Sequence, residues 1–205
     1  MKIKPIVEGF GDVLAVPELL RRIQFEYGLG GHEVQIARPI KWNRSHFNSE
    51  AQVRTAVRLA VAETDCVGVL IVFDSDDDCP KTYASRIAKW SIEEARTIPC
   101  EIVMADREFE AWFLAAMESL RGRNGISPDA VSEDNPERIR GAKERLESKM
   151  IWNVSYSETS DQVALTSRLN LRTVHDRCRS FRKLVKAFRQ LLISAGAQVN
   201  EWAAN

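Results

Sequence analysis

Residues 67–73 read Val-Gly-Val-Leu-Ile-Val-Phe, and the next five read Asp-Ser-Asp-Asp-Asp. The first run is apolar or small and rich in β-branched side chains, which suits a strand buried on both faces. The second run cannot follow it into a core, because ionised groups are costly to bury unpaired. A chain with this junction must bring a strand out at a sheet edge, with Asp74, Asp76, Asp77 and Asp78 crowded at its C-terminal end. Open α/β sheets bind ligands along that edge. Crowded carboxylates repel, and a hard divalent cation such as Mg²⁺ relieves the repulsion through oxygen ligands. An acidic loop that only caps the next helix is the other reading of the same residues.

The rest of the first half alternates between two periodicities. Lys2 to Val7 reads as a short strand ending at Glu8, followed by the turn Gly9-Phe10-Gly11 and by Asp12, which can cap a helix from Val13 to Tyr27. Pro17 is expected in or near that helix's first turn. The segment Gly28 to Gly31 breaks the chain, and Val34 to Ile40 is the second strand expected. Ser49 precedes a helix with Val53, Val57, Ala60 and Val61 on one face. After the acidic run, Pro80 fits a first helical position, and Tyr83, Ile87 and Trp90 continue the stripe. Cys100 to Ala105 is a fourth strand ending at Asp106, and Arg107 to Leu114 opens another helix. The pattern β-α-β-α-β-α-β-α means a four-stranded, mainly parallel sheet flanked by helices on both faces. Residues 121–136 are polar and turn-rich. Beyond them helices are expected at 136–150, 159–178 and 180–194. The division implied is an α/β domain over 1–120 and a helical extension over 136–205, packed on the sheet.

Charge is distributed unevenly although the formal net charge is +0. Residues 168–205 hold eight Lys/Arg against Asp176 and Glu201, so the remainder is acidic to the same extent. That asymmetry is expected where one region holds a cation and another meets a polyanion. Arg179, Arg182, Lys183 and Lys186 lie three or four apart and share a helix face, with Leu184, Phe188, Leu191 and Leu192 opposite. The four cysteines form no Cys-x-x-Cys pair, and the histidines at 32, 46 and 175 are scattered, so no zinc site is expected. The first residues lack the apolar run of a signal peptide, and no stretch nears the ~20 apolar residues of a membrane span. A cytoplasmic protein is expected.

Parallel strands place Glu8, Asp74, Asp76 and Asp106 on one edge, and Glu8 converges with the acidic loop if its strand neighbours the central one. A Glu-Gly after the first strand (Glu8-Gly9) and an Asp-x-Asp after the third (Asp74-Ser75-Asp76, extended to Asp78) resemble the Toprim domain. That fold is shared by topoisomerases, bacterial primases and overcoming-lysogenization-defect nucleases. A family of small stand-alone prokaryotic Toprim-like proteins is closer, through Glu108-Phe109-Glu110-Ala111-Trp112, Tyr156, Asp161-Gln162 and Arg179-Ser180-Phe181-Arg182.

The resemblance implies Mg²⁺ or Mn²⁺ on Asp74 and Asp76, with Glu8 as ligand or proton-transfer group and Asp78 completing the acidic spacing. It implies a metal-dependent phosphodiesterase or nuclease acting on DNA or RNA, as in a prokaryotic defence or repair system. The chain has no room for a topoisomerase tyrosine domain and no primase zinc module, which leaves hydrolysis. It also has no Gly-x-x-x-x-Gly-Lys-Ser/Thr loop, so any ATPase would be a separate subunit. Arg179, Arg182, Lys183 and Lys186 are the expected nucleic-acid contacts. Two other classes fit the same acids: a receiver-like phosphoacceptor domain, and a non-catalytic subunit that binds metal or a partner. Asp12, Asp77 and Asp106 also read as ordinary caps or loop acids, Trp112 and Phe113 as core, and Glu108 and Glu110 cannot both face one site.

Overall fold

A computed structural model describes residues 1–30 and 33–202. The expected break at Gly28 to Gly31 lies partly outside them, as does His32. The strands are β1 (Lys2–Val7), β2 (Gln35–Ile36), β3 (Ile40–Lys41), β4 (Cys66–Asp74) and β5 (Cys100–Ala105). All pairings among these strands are parallel, in the order β2-β1-β4-β5, with β3 also on β1. Five strands thus occupy four positions in the sheet. The second expected strand is split because Pro39 has no N–H to give a ladder, so pairing stops and resumes at Ile40.

Alternation along the strands makes two apolar faces. Ile3, Val7, Leu70, Val72, Val103 and Ala105 face one core. Ile6, Val69, Ile71, Phe73, Ile102 and Met104 face the other. Helix α1 (Asp12–Glu26) covers the first face, and α2 (Glu50–Val61) and α3 (Pro80–Ala95) cover the second. The chain therefore winds one way from β1 to β2 and the other way to β4. This is a doubly wound, Rossmann-like sheet whose strand order reverses between β1 and β4, the place where such sheets open a ligand crevice.

The C-terminal half is helical but more broken than its sequence suggests. It contains α4 (Glu110–Leu114), α5 (Ala142–Glu147), α6 (Asp161–Thr166), α7 (Leu171–Arg177) and α8 (Arg179–Ser194). The stretch expected as one helix over 159–178 is α6 and α7, separated by Asn170, whose side chain accepts from Thr173 N and caps α7. Of the stretch expected over 136–150, a single turn at Pro136–Arg138 and the short α5 are helical, with Gly141 between them at φ 65°. Pro17 lies inside α1, past its first turn.

α8 buries Phe181, Leu184, Phe188, Leu191 and Leu192 in the same core as β1, β4 and α1. Gly68 makes its close approach possible: a Cβ there would stand 3.2 Å from Cδ2 of Leu191 and 3.6 Å from Cγ1 of Ile3. Trp112 Nε1 donates to Ser180 Oγ at 2.8 Å, tying α4 to the start of α8. Glu137 caps α8, its two carboxylate oxygens accepting from Arg179 N and Ser180 N at 2.7 Å.

Because α8 and the sheet share one core, Leu191→Ala is expected to lower the stability of the whole chain by about 2–5 kcal/mol, the usual cost of such a cavity. Urea denaturation followed by both circular dichroism and tryptophan fluorescence checks this. Coincident transitions shifted together are expected, and separate loss of the helical C-terminus would contradict the core that α8 shares with the sheet.

Candidate functional site

Carboxylates from four different segments gather at the reversal. Glu8 directly follows β1 and Asp74 ends β4, on neighbouring strands. Their proximity is direct: Asp74 N lies 3.4 Å from Glu8 Oε2. Asp74 Oδ1 in turn accepts from Phe109 N at 3.0 Å, at the start of α4. Asp12 was expected to cap α1, but the α1 N-cap position is Gly11. Asp12 Oδ2 instead accepts from Gly9 N at 2.8 Å, and Oδ1 from Gln162 Nε2 at 3.0 Å. Glu110, buried on α4, accepts from the Tyr156 hydroxyl at 2.9 Å.

The turn between Glu8 and Asp12 is held against the C-terminal half. Gly11 has an ordinary helical φ of −62°, so conformation does not call for glycine there. Space does: a Cβ would meet Gln162 Oε1 at 2.0 Å and the Glu158 carbonyl oxygen at 2.6 Å. The acidic loop is held equally firmly on the other side. Ser75 N donates to Ala105 O (2.9 Å), Asp76 N to Arg107 O (3.0 Å) and Arg107 N to Ser75 Oγ (2.8 Å). Asp76 and Arg107 sit at φ 49° and 63°, a left-handed conformation that non-glycine residues adopt at some cost.

The electrostatics follow from this crowding. Burial pushes Glu8 up to about 7, with repulsion from Asp76 and Asp12 adding and the Asp74 N–H and Arg44 opposing. Burial also raises Asp74 far above the usual carboxylate range, helped by Asp12, Glu110, Glu8 and Asp76. Glu110 rises to about 7 for the same first reason, held back by the Tyr156 hydroxyl. Asp12 is raised by burial as well. Four carboxyl groups thus compete for negative charge in one poorly solvated place.

The remaining acids are arranged differently. Asp76 is exposed and lies 3.5 Å from Arg44 Nε. Asp78 is turned to the Arg44 guanidinium, and Asp77 to Arg107 and Arg140, each at 2.9 Å. Asp78 is therefore occupied by an arginine rather than gathered with Glu8 and Asp74. Asp106 stands with Glu137 and Arg179 and is raised mainly by burial. Glu108 accepts from Lys143 N at 2.9 Å, so of the two neighbouring glutamates it is Glu110 that joins the crevice.

Among the described residues, no three His, Cys, Asp or Glu side chains form a ready-made ion cage. The donor set nevertheless fits Mg²⁺ or Mn²⁺. These ions take hard oxygen ligands and need only one or two carboxylates when water and phosphate complete the shell. Glu8 and Asp74 are such a pair, each raised chiefly by burial, with Arg44 offsetting only part of the rise at Glu8.

A family model described as a domain of unknown function, DUF4276, matches residues 7–189. The chain belongs to that family. No curated protein and no solved structure matches it. The DUF4276 match takes in all four crevice carboxylates and most of α8.

In this DUF4276 domain the basic ridge foreseen on α8 does not gather at the crevice. Arg179 acts on Asp106 at the end of β5, while Lys183 and Lys186 act on Glu101 near its beginning. The ridge therefore runs away from the carboxylates along the sheet edge. Arg182 Nη1 is spent on the carbonyls of His175 and Asp176, at 2.8 and 2.9 Å, at the end of α7. The cation that does face the acids is Arg44, which lies over the Tyr83 ring at 4.5 Å and beside Glu8, Asp76 and Asp78. Behind Glu110, Lys143 pairs with Glu158. Sequence reading passed over Arg44 and Lys143, which carry no local motif. Tyr156 and Gln162 were visible in it only as family marks.

Glu8 and Glu110 keep their protons up to about pH 7 in the folded chain, against an ordinary 4.5. The folded state therefore holds more protons than the unfolded one across that window, and stability falls as pH rises through it. Glu8→Gln is expected to flatten the fall and raise the melting temperature above pH 7. Mg²⁺ or Mn²⁺ is expected to raise the wild-type melting temperature more at pH 8 than at pH 6, because ionised carboxylates bind it better. Scanning fluorimetry with and without metal measures both. A Glu8→Gln chain that melts lower at pH 8 would assign Glu8 a structural role instead.

Proposed function

We propose that this domain is a divalent-cation-dependent phosphodiesterase acting on nucleic acid, with its acids in a Toprim-like order. The observation that carries the reading is the meeting of Glu8 and Asp74 at the strand reversal, with Asp12 and Glu110 behind them. Glu8 and Asp74 would hold Mg²⁺ or Mn²⁺, with Asp76 at the open side. The bound ion would offset phosphate charge and lower the pKa of a water.

The chain's own groups supply the rest. Where Glu8 serves as the proton-transfer group rather than as a ligand, its carboxyl, placed near neutrality, can accept and return a proton within the working pH range. The Arg44 guanidinium is suited to bidentate capture of a phosphate, exchanging Asp78 for the substrate. The Tyr156 hydroxyl and the Gln162 amide hold Glu110 and Asp12 in place, so the second row of acids cannot swing away. This reading keeps a separate ATPase subunit as a candidate partner and places the protein in the cytoplasm. The four free cysteines support that compartment. No described helix is long and apolar enough to cross a membrane.

Incubation with plasmid, linear duplex, single-stranded DNA and RNA in Mn²⁺ or Mg²⁺ is expected to show cleavage that a chelator abolishes. Asp74→Asn and Glu8→Gln are expected to slow it by about 100-fold or more, the scale of a lost metal ligand or proton-transfer group. Arg44→Ala is expected to raise KM more than it lowers kcat. Cleavage that survives Asp74→Asn would end the proposal.

A further inference from the structure

Among the described residues β5 pairs only with β4, so its other edge is open. Pro99 O accepts from Val69 N and Ala105 O from Ser75 N, both at 2.9 Å. Backbone groups alternate in direction along a parallel ladder, so those of Cys100, Ile102 and Met104 point outward. Proteins usually blunt or cover such an edge, because it templates pairing with another strand. Here it forms the floor of a groove of about 660 Å³ between α3 and α8. The six residues of β5 span about 20 Å at the usual rise per residue.

The two walls differ in character. The α3 wall carries Ala84, Ser85 and Ala88, small enough to let a backbone come close, and ends at Ile92, which is 55 % exposed. The α8 wall carries Arg179 and Lys183, and Lys81 stands at the mouth of the α3 side. Lys183 is exposed, and the opposite charge acting on it is Glu101. Two of the four cations foreseen for nucleic acid, Arg179 and Lys183, therefore flank an unpaired strand edge.

We propose that this groove takes an extended peptide segment of a partner protein, which adds a strand to β5 with acidic side chains toward α8 and small or aliphatic ones toward α3. Strand addition supplies affinity through the backbone and specificity through alternate side chains. A second copy of this chain suits the groove less well, since a two-fold pairing would bring two Arg179–Lys183 rows together. A nucleic-acid backbone suits it less well too, because it carries charge at every residue and satisfies none of the outward N–H and C=O groups of β5 as a strand does, while the α3 wall offers it no charge beyond Lys81.

The probe is a fluorescein-labelled heptapeptide of alternating glutamate and valine, titrated against the full chain by fluorescence anisotropy. Saturable binding is expected. Arg179→Glu combined with Lys183→Glu, with folding checked by circular dichroism, is expected to weaken it by about tenfold or more, as for lost charge complementarity. In a second arm the protein is unchanged and the peptide is N-methylated at either all valines or all glutamates. One pattern is expected to abolish binding and the other to be tolerated, because only alternate amides of an added strand face β5. Absence of binding overturns the proposal, as does equal loss with both methylation patterns. Displacement of the peptide by an oligonucleotide, or a dimer in sedimentation that excludes the peptide, would give the groove to another occupant.

Discussion

Desolvated negative charge is the constraint around which this molecule is arranged. Glu8, Asp12, Asp74 and Glu110 each sit where water is scarce, and the other three all raise the cost of ionising Asp74. Such a group persists only if the scaffold keeps the carboxylates from moving apart. Backbone N–H donors from Gly9, Asp74 and Phe109 hold three of these interactions in place. The Tyr156 and Gln162 side chains brace Glu110 and Asp12 from the far side. A site in this condition gains most from a ligand with concentrated positive charge, which is the ground on which cation-assisted phosphate chemistry is proposed for it.

The C-terminal half is part of that scaffold. Its segment around Glu158 and Gln162 closes on the turn before α1, and Gly11 leaves the space for it. α8 replaces a helix that the sheet would otherwise lack on one face, and Glu137 and Trp112 fix its start. The same helix leaves its charged side along the open edge of β5, away from the carboxylates. The two polar features of the chain, acidic crevice and basic edge, are thereby separated across the sheet. Each can meet a different partner without competing for the same surface.

Much of the fold was legible because strands and helices here are governed by local pattern. The apolar run before Asp74 and the stripe on α8 each have one stable way to be buried. Legibility failed where a short-range signal competed with a contact far away in sequence. Asp12 looked like a helix cap, but Gln162 lies 150 residues on and claims its other oxygen. The 159–178 stretch looked like one helix, but α6 stops at Thr166 and Asn170 caps the start of a second. Pro39 was written in the strand it divides, and its missing N–H was the available signal.

The sequence by itself determined the alternation of elements and the emergence of Glu8 and Asp74 at one edge of a parallel sheet. Both follow from hydrophobic periodicity and from the cost of burying charge, which act over a few residues. Only the tertiary structure decided which acids meet. Strand order places β1 beside β4, loop pairing turns Asp77 and Asp78 to arginines, and α4 brings Glu110 inward. It also decided the direction of α8, and so where its cations lie. Electrostatic interaction depends on distance through space and on local solvation, and neither is written in the spacing of residues along the chain.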